Sequence, residues 1–254
     1  MKFIVLGSGT SVPQRQRSAP AFWVETNSGS MLLDAGADAA HRMAEENLDW
    51  KNLDAIWISH FHLDHFGGLA PFLFGTKWAP QTRERRKPLQ IFGPRGLVKL
   101  LRTFSDANEY GLLDQPFLLK LHEVEPAREF NVLADLRATT FSTPHTTESL
   151  AVRLTASTGK SLVYSSDTGF SQHLADFSRG VTLLVLECSF RRNKPVSTHL
   201  EIEEAIKIIR ECNPQTALLT HLYPEWDDCN FAEEVSKLWS GEIIEAVDGL
   251  SLEL

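Results

Sequence analysis

The sequence predicts an α/β protein in which two sheets are covered by helices within one domain spanning residues 1–254. Three observations carry this expectation. Short apolar runs rich in β-branched and aromatic residues recur in both halves of the chain, separated by Gly, Pro, Asn and Ser clusters. Ile202, Ala205, Ile206 and Ile209 fall at i, i+3, i+4 and i+7, the spacing of a single helix face. No repeat, low-complexity tract or linker divides the chain, and 254 residues are enough for one large core.

In chain order, Phe3–Leu6, Ala21–Glu25, Met31–Leu33 and Ala55–Ile58 read as strands, with a helix at about Asp38–Glu46. Further helical and strand pieces follow Gly67-Gly68, and Gly96–Phe104 is amphipathic through Leu97, Leu100, Leu101 and Phe104. Leu136–Phe141, Leu150–Leu154 and Ser161–Tyr164 form a second, antiparallel series, and Leu183–Glu187 and Ala217–Thr220 are short apolar runs that end on polar residues. The helix containing Ile202 lies between those last two, and Thr198 to Glu201 has the spacing of a capping box at its start.

Composition narrows the function. A hydrophobic fraction of 43% with 23% charged residues is that of an ordinary globular protein. No apolar run approaches the ~20 residues of a membrane helix, and Met1–Gly7 turns polar too soon for a signal peptide. A cytoplasmic location without membrane association is the resulting expectation. Three cysteines, Cys188, Cys212 and Cys229, lack C-x-x-C spacing and read as reduced thiols. A net charge of -8 opposes a phosphate backbone, so RNA is the less favoured partner. Its one foothold would be a basic segment, Lys77, Arg83, Arg85, Arg86 and Lys87.

Three of the nine histidines stand in His60-x-His62-x-Asp64-His65, directly after a strand and directly before Gly67-Gly68. Where a strand gives way to a turn, side chains of different direction can converge, and neutral imidazoles with a carboxylate suit a borderline ion such as zinc. His145 after Thr143-Pro144, Asp167 after Tyr164-Ser165-Ser166, and His221 after Leu218-Leu219-Thr220 repeat the placement of a candidate ligand behind an apolar strand.

These positions resemble the metallo-β-lactamase superfamily over nearly the whole chain. The signature, His-x-His-x-Asp-His followed by a separate His, a bridging Asp and a final His, falls here at His60, His62, Asp64, His65, His145, Asp167 and His221. The resemblance implies a four-layer αββα sandwich holding two divalent metal ions, Zn2+ first, with Mn2+ or Fe2+ as alternatives. His60, His62 and His145 would hold one ion, Asp64, His65 and His221 the other, and Asp167 would bridge them.

Within the superfamily the chain is most similar to ribonuclease Z and related phosphodiesterases. Leu6-Gly7-Ser8-Gly9-Thr10-Ser11-Val12-Pro13 resembles their Gly-rich first turn, Leu32-Leu33-Asp34-Ala35-Gly36 their second strand, and Ser166-Asp167-Thr168 their bridging segment. His199 followed by Ala205 resembles a helix-start histidine of that branch, which would make His199 the proton donor to the leaving oxygen. The final motif departs from the branch, reading His221-Leu222-Tyr223-Pro224 without its Ser and Arg, and the Gly/Pro-rich arm of tRNA-processing members has no counterpart between His65 and His145.

The expected function is hydrolysis of a small phosphodiester, with a hydroxide shared by two ions as nucleophile and Asp64 orienting it and accepting its proton. Hydrolysis of a carboxylic ester, thioester or lactone by the same centre is the alternative, and tRNA 3′ endonuclease activity of the ribonuclease Z type is a third. A metal-stabilised binding protein without turnover stands apart from all three. The resemblance also makes a homodimer an expectation.

Overall fold

The computed structural model describes all residues 1–254. In chain order its elements are β1 (Lys2–Gly7), β2 (Ala21–Thr26), β3 (Gly29–Leu33), α1 (Ala39–Glu45), β4 (Ala55–Trp57), α2 (Leu63–Phe66), α3 (Leu69–Trp78), β5 (Leu89–Pro94), α4 (Leu97–Asp106), β6 (Leu119–Val124), β7 (Glu129–Leu133), β8 (Leu136–Ser142), β9 (Leu150–Ala156), β10 (Ser161–Tyr164), α5 (Gln172–Phe177), β11 (Leu183–Glu187), α6 (Ile202–Cys212), β12 (Thr216–Thr220), α7 (Phe231–Ser236), β13 (Ile244–Glu245) and β14 (Ser251–Glu253).

The strands form two seven-stranded sheets, ordered β14-β1-β2-β3-β4-β5-β6 and β13-β12-β11-β10-β9-β8-β7. Because side chains alternate between the two faces of a strand, a strand buried on both faces reads as an unbroken apolar run. In β1, Phe3 and Val5 face the other sheet while Ile4 and Leu6 face helices. In β11, Leu183 and Val185 point between the sheets and Leu184 and Leu186 point at α6. Three apolar layers result. One lies between the sheets, one packs α1, α3 and α4 on the first sheet, and one packs α5, α6 and α7 on the second. This is the expected αββα order.

The strands β3, β4, β5 and β6 run parallel, as do β10, β11, β12 and β13. In a parallel sheet the C-terminal ends of the strands share one edge, where ligands of open α/β sheets collect. His60 lies just beyond β4, Asp167 beyond β10 and His221 directly beyond β12, so the topology brings candidates from both sheets to a common rim.

The expected strands are present within two residues of their anticipated ends. The structure adds β5, β6, β7, β13 and β14, which the sequence reading did not assign. In β6, Lys120 and Glu123 interrupt the apolar pattern because the strand closes the edge of its sheet. The capping box sits three residues later than expected. Glu201 is the N-cap of α6, exchanging bonds with the backbone and side chain of Glu204, while the Thr198 carbonyl and the Leu200 amide bond instead to His145 and Glu187.

The basic segment is also not the surface the sequence suggests. Arg85 is buried and spends its guanidinium on the carbonyls of Lys51, Leu53, Lys87 and Pro88. Lys77 caps the carbonyls of Tyr110 and Gly111, and Lys87 pairs with Asp54. Arg83 and Arg86 remain exposed, but the segment feeds the N-terminal end of β5, whereas His60 lies past the C-terminal end of β4, which is parallel to β5. The segment and the rim are thus separated by the length of a strand, ~20 Å for six residues.

Candidate metal centre

The chain reaches the rim through tight turns. Gly68 follows the histidine motif because a side chain there would collide with the carbonyl of Gly36, which passes beneath it. Asp34, Ser166 and His221, each within two residues of a strand end, adopt left-handed backbone with φ of 56°. Non-glycine residues in that region cost of order 1–3 kcal/mol and persist only where their surroundings hold them. The His221 turn is held by the Leu222 amide, which donates to the Ser8 carbonyl in the Gly-rich first turn at 3.0 Å.

The structure brings all seven candidate ligands together. His60, His62, His145 and Asp167 form one cluster, and Asp64, His65 and His221 form a second, with donor atoms in each within 4.8 Å of one another. Asp167 faces both. Its Oδ2 lies 3.7 Å from His60 Nε2 and 3.5 Å from His145 Nε2, while its Oδ1 lies 3.2 Å from His65 Nε2 and 3.3 Å from His221 Nε2. Asp64 Oδ2 is 3.5 Å from His221 Nε2 and 3.8 Å from His65 Nε2.

These separations fit shared cations. Two ligands at ~2.1 Å from a tetrahedral zinc lie about 3.4 Å apart. The same atoms are otherwise orphaned, since His60 Nε2, His65 Nε2, His221 Nε2 and Asp167 Oδ1 are buried without a hydrogen-bond partner, a costly state that cations shared among these four converging atoms would relieve. His62 Nδ1 and His145 Nε2 face one another at 3.0 Å. His145 Nδ1 donates to the Thr198 carbonyl, which leaves its Nε2 lone pair for the cluster.

Electrostatics point the same way at four of these groups, while at His65 the charges of Asp167 and Asp34 outweigh burial and raise the imidazole above its ordinary value. Burial opposes ionisation of Asp167, but His221 and His65 beside it hold its carboxyl well below the usual carboxylate range. Asp64, likewise resisted by burial, is held low by its hydrogen bond to His221 and by His65. Burial pushes His60 and His145 below the ordinary imidazole value, favouring the neutral, ligating form.

Two buried carboxylates absent from the expected ligand set brace the histidines from behind. Asp34, at the end of β3, accepts from the Ser59 amide at Oδ1 and from Ser59 Oγ, His65 Nδ1 and Tyr164 OH at Oδ2, all at 2.7 Å. Glu187, the last residue of β11, accepts from His199 Nδ1 at 2.9 Å, from the amides of Thr168, Ser189 and Leu200, and from Ser189 Oγ. Both carry a signal the sequence reading could have used, an acid closing an apolar strand run. Ser59, Tyr164 and Ser189 carry none.

His199 stands at the edge of the centre, its side chain 12% exposed, with a nitrogen within 4.8 Å of donor atoms on Asp167 and His221. Burial works against its protonation, yet the hydrogen bond to Glu187 and that residue's charge raise it above the ordinary histidine value. With Nδ1 fixed on Glu187, Nε2 is the nitrogen free to give a proton outward.

A family model described as anti-Pycsar protein Apyc1 matches residues 1–238. Ribonuclease Z of Archaeoglobus fulgidus is 23% identical to this chain over 308 residues, covering 100% of the chain and 97% of that protein. The probable metallo-hydrolase YhfI of Bacillus subtilis is 23% identical over 252 residues, covering 98% of each. The crystal structure of YhfI, a metallo-beta-lactamase fold protein, superposes with a TM-score of 0.84 over 99% of both chains. Human tRNase Z, short form, superposes with a TM-score of 0.81 at 18% identity, covering 100% of this chain and 99% of that one.

Proposed function

The chain belongs to the family described as anti-Pycsar protein Apyc1 and is a metallo-hydrolase of the metallo-β-lactamase fold, and from that premise we propose that it is a phosphodiesterase with two divalent cations, zinc first among them. His60, His62 and His145 would hold one ion and Asp64, His65 and His221 the other, with Asp167 between. The observation that carries this reading is the division of Asp167, one oxygen toward each cluster, beside buried imidazole nitrogens with no other partner.

When bound, a pair of such ions supplies Lewis acidity and a water acidic enough to attack at neutral pH. The chain's own residues do the rest. Asp64, held ionised at the rim, orients the attacking water and accepts its proton. As the bond from phosphorus to the leaving oxygen breaks, His199 Nε2 delivers a proton to that oxygen, and Glu187 stabilises the imidazolium beforehand. General acid catalysis of this kind contributes ~10²–10⁴ in rate. Asp34 and Glu187 keep the imidazoles oriented, so that little reorganisation remains when substrate arrives.

A small phosphodiester fits better than a long RNA. The exposed arginines Arg83 and Arg86 lie at the opposite end of the strands from the rim, so they are not placed to grip a polyanion threaded into it. The test is metal content together with turnover of a bis-aryl phosphate. Two ions per chain with hydrolysis that His199→Ala weakens is the expected result. Turnover confined to a lactone or thioester would transfer the same centre to acyl chemistry, and two ions without any turnover would make it a binding site.

A further inference from the structure

We infer that Ser189 is a positioning residue which fixes the ligating form of His221 by joining it to the carboxylate that orients His199; the inference rests on the metal assignment proposed above. Ser189 is fully buried just beyond β11. Its Oγ lies 2.9 Å from His221 Nδ1, 2.9 Å from Glu187 Oε2 and 3.1 Å from His199 Nδ1. A hydroxyl donates one hydrogen bond and accepts two, and an ionised carboxylate only accepts. The Ser189 proton therefore goes to Glu187. Its lone pairs are left to accept, and since His199 spends its Nδ1 hydrogen on Glu187 Oε1 at 2.9 Å, the 2.9 Å bond to His221 requires His221 Nδ1 to carry a hydrogen and donate it.

That direction decides which nitrogen of His221 faces the centre with a lone pair. With Nδ1 protonated, Nε2 is free, and Nε2 is the buried, unpartnered nitrogen 3.3 Å from Asp167 and 3.5 Å from Asp64. His199 uses the same carboxylate, at Oε1. One buried acid thus sets the orientation of a ligand and of the proton donor, the ligand through a serine and the donor directly.

The other sheet repeats the arrangement. Asp34 takes His65 directly, and takes His60 through Ser59, whose Oγ lies 2.7 Å from Asp34 Oδ2 and 3.0 Å from His60 Nδ1. There too the nitrogens left free, His60 Nε2 and His65 Nε2, are buried without partners. Two independent strand ends produce the same chain of carboxylate, serine and imidazole, each with the unused nitrogen aimed at the cluster. Groups that orient ligand histidines are typically worth 10–100-fold in metal affinity.

The experiment is a zinc titration of the metal-free protein against a chelating indicator, for wild type, Ser189→Ala, Ser189→Thr and His221→Ala. Wild type should take up two ions. Ser189→Ala should keep one tightly and weaken the other by about 10–100-fold, while Ser189→Thr, which retains the hydroxyl, should stay within a few-fold of wild type. Adding Ser189→Ala to His221→Ala should leave the affinity of the remaining ion unchanged, because the residue through which the serine acts is already gone. Wild-type affinity for both ions in Ser189→Ala, equal weakening of both, the same loss in Ser189→Thr, or a further loss on the His221→Ala background would each overturn the inference. A wild-type chain that takes up no zinc would overturn the metal assignment, and this inference with it.

Discussion

His199 Nδ1 lies 2.9 Å from Oε1 of Glu187, a carboxylate whose side chain is 1% exposed. Because Glu187 raises His199 above its ordinary value, the donating form persists to higher pH, and activity should fall as pH rises through that raised value. Glu187→Gln removes the charge, so the alkaline limb of the kcat/KM profile should move to lower pH. An alkaline limb that stays in place in this variant, measured on a substrate with a poor leaving group, would show that His199 does not set it.

Removing His199 itself should separate substrates by leaving group. His199→Ala should bind its metal normally and lose ~10²–10⁴ in kcat on poor leaving groups, with partial recovery on an activated aryl leaving group that departs without a proton. Equal losses on both would assign His199 a structural role instead.

Asp167→Ala removes the only carboxylate with an oxygen toward each cluster. Elemental analysis of the purified variant should find at most one ion per chain. A full complement would show that Asp167 does not bridge.

Asp34 gathers four hydrogen bonds in a fully buried position. Tyr164→Phe deletes one donor and leaves Asp34 three others, so denaturant unfolding should register a loss of about 0.5–1.5 kcal/mol with metal content intact. Asp34→Ala strands all four donors, at ~1–3 kcal/mol for each one left unsatisfied, and should lose metal along with stability. A variant as stable as wild type would mean that these bonds do not support the site.

The basic segment offers a test of substrate size. Charge reversal at Arg83 and Arg86 should leave turnover of an aryl phosphodiester unchanged, and precursor tRNA should remain largely uncut at physiological salt. Efficient cleavage of precursor tRNA at its 3′ end would restore the ribonuclease Z reading. Loss of that cleavage in the reversed variant would then place the RNA on this segment. Arg85→Ala should act differently, lowering stability, because its guanidinium satisfies four backbone carbonyls.

The fold was largely legible in the sequence where strands are buried on both faces. Runs such as Leu183–Leu186 and Ala217–Leu219 have no polar position to spare, and α6 shows its inward face through Ile202, Ile206 and Ile209. The edge strands β6 and β7 were not legible, since most of their residues meet solvent and the period is blurred by Lys120, Glu123 and Glu129. The candidate ligands were legible as residue types placed behind strands, because a His, Asp or Glu at the end of an apolar run is chemically conspicuous wherever the chain goes next.

What the sequence could not say is which nitrogen of each imidazole faces inward, or which residues make it do so. Ser59 is an ordinary serine until the pairing of β3 with β4 brings it against Asp34, Ser189 is one until the pairing of β11 with β12 brings His221 to it, and Asp34 reaches Tyr164 across 130 positions of chain. The basic segment near Arg85 illustrates the same division from the other side. Its charge was plain in the sequence, but only the parallel pairing of β4 with β5 put it at the far end of the sheet from His60. Composition and periodicity are local, whereas hydrogen-bond direction and distance from a site depend on where strands from both halves of the chain end in space.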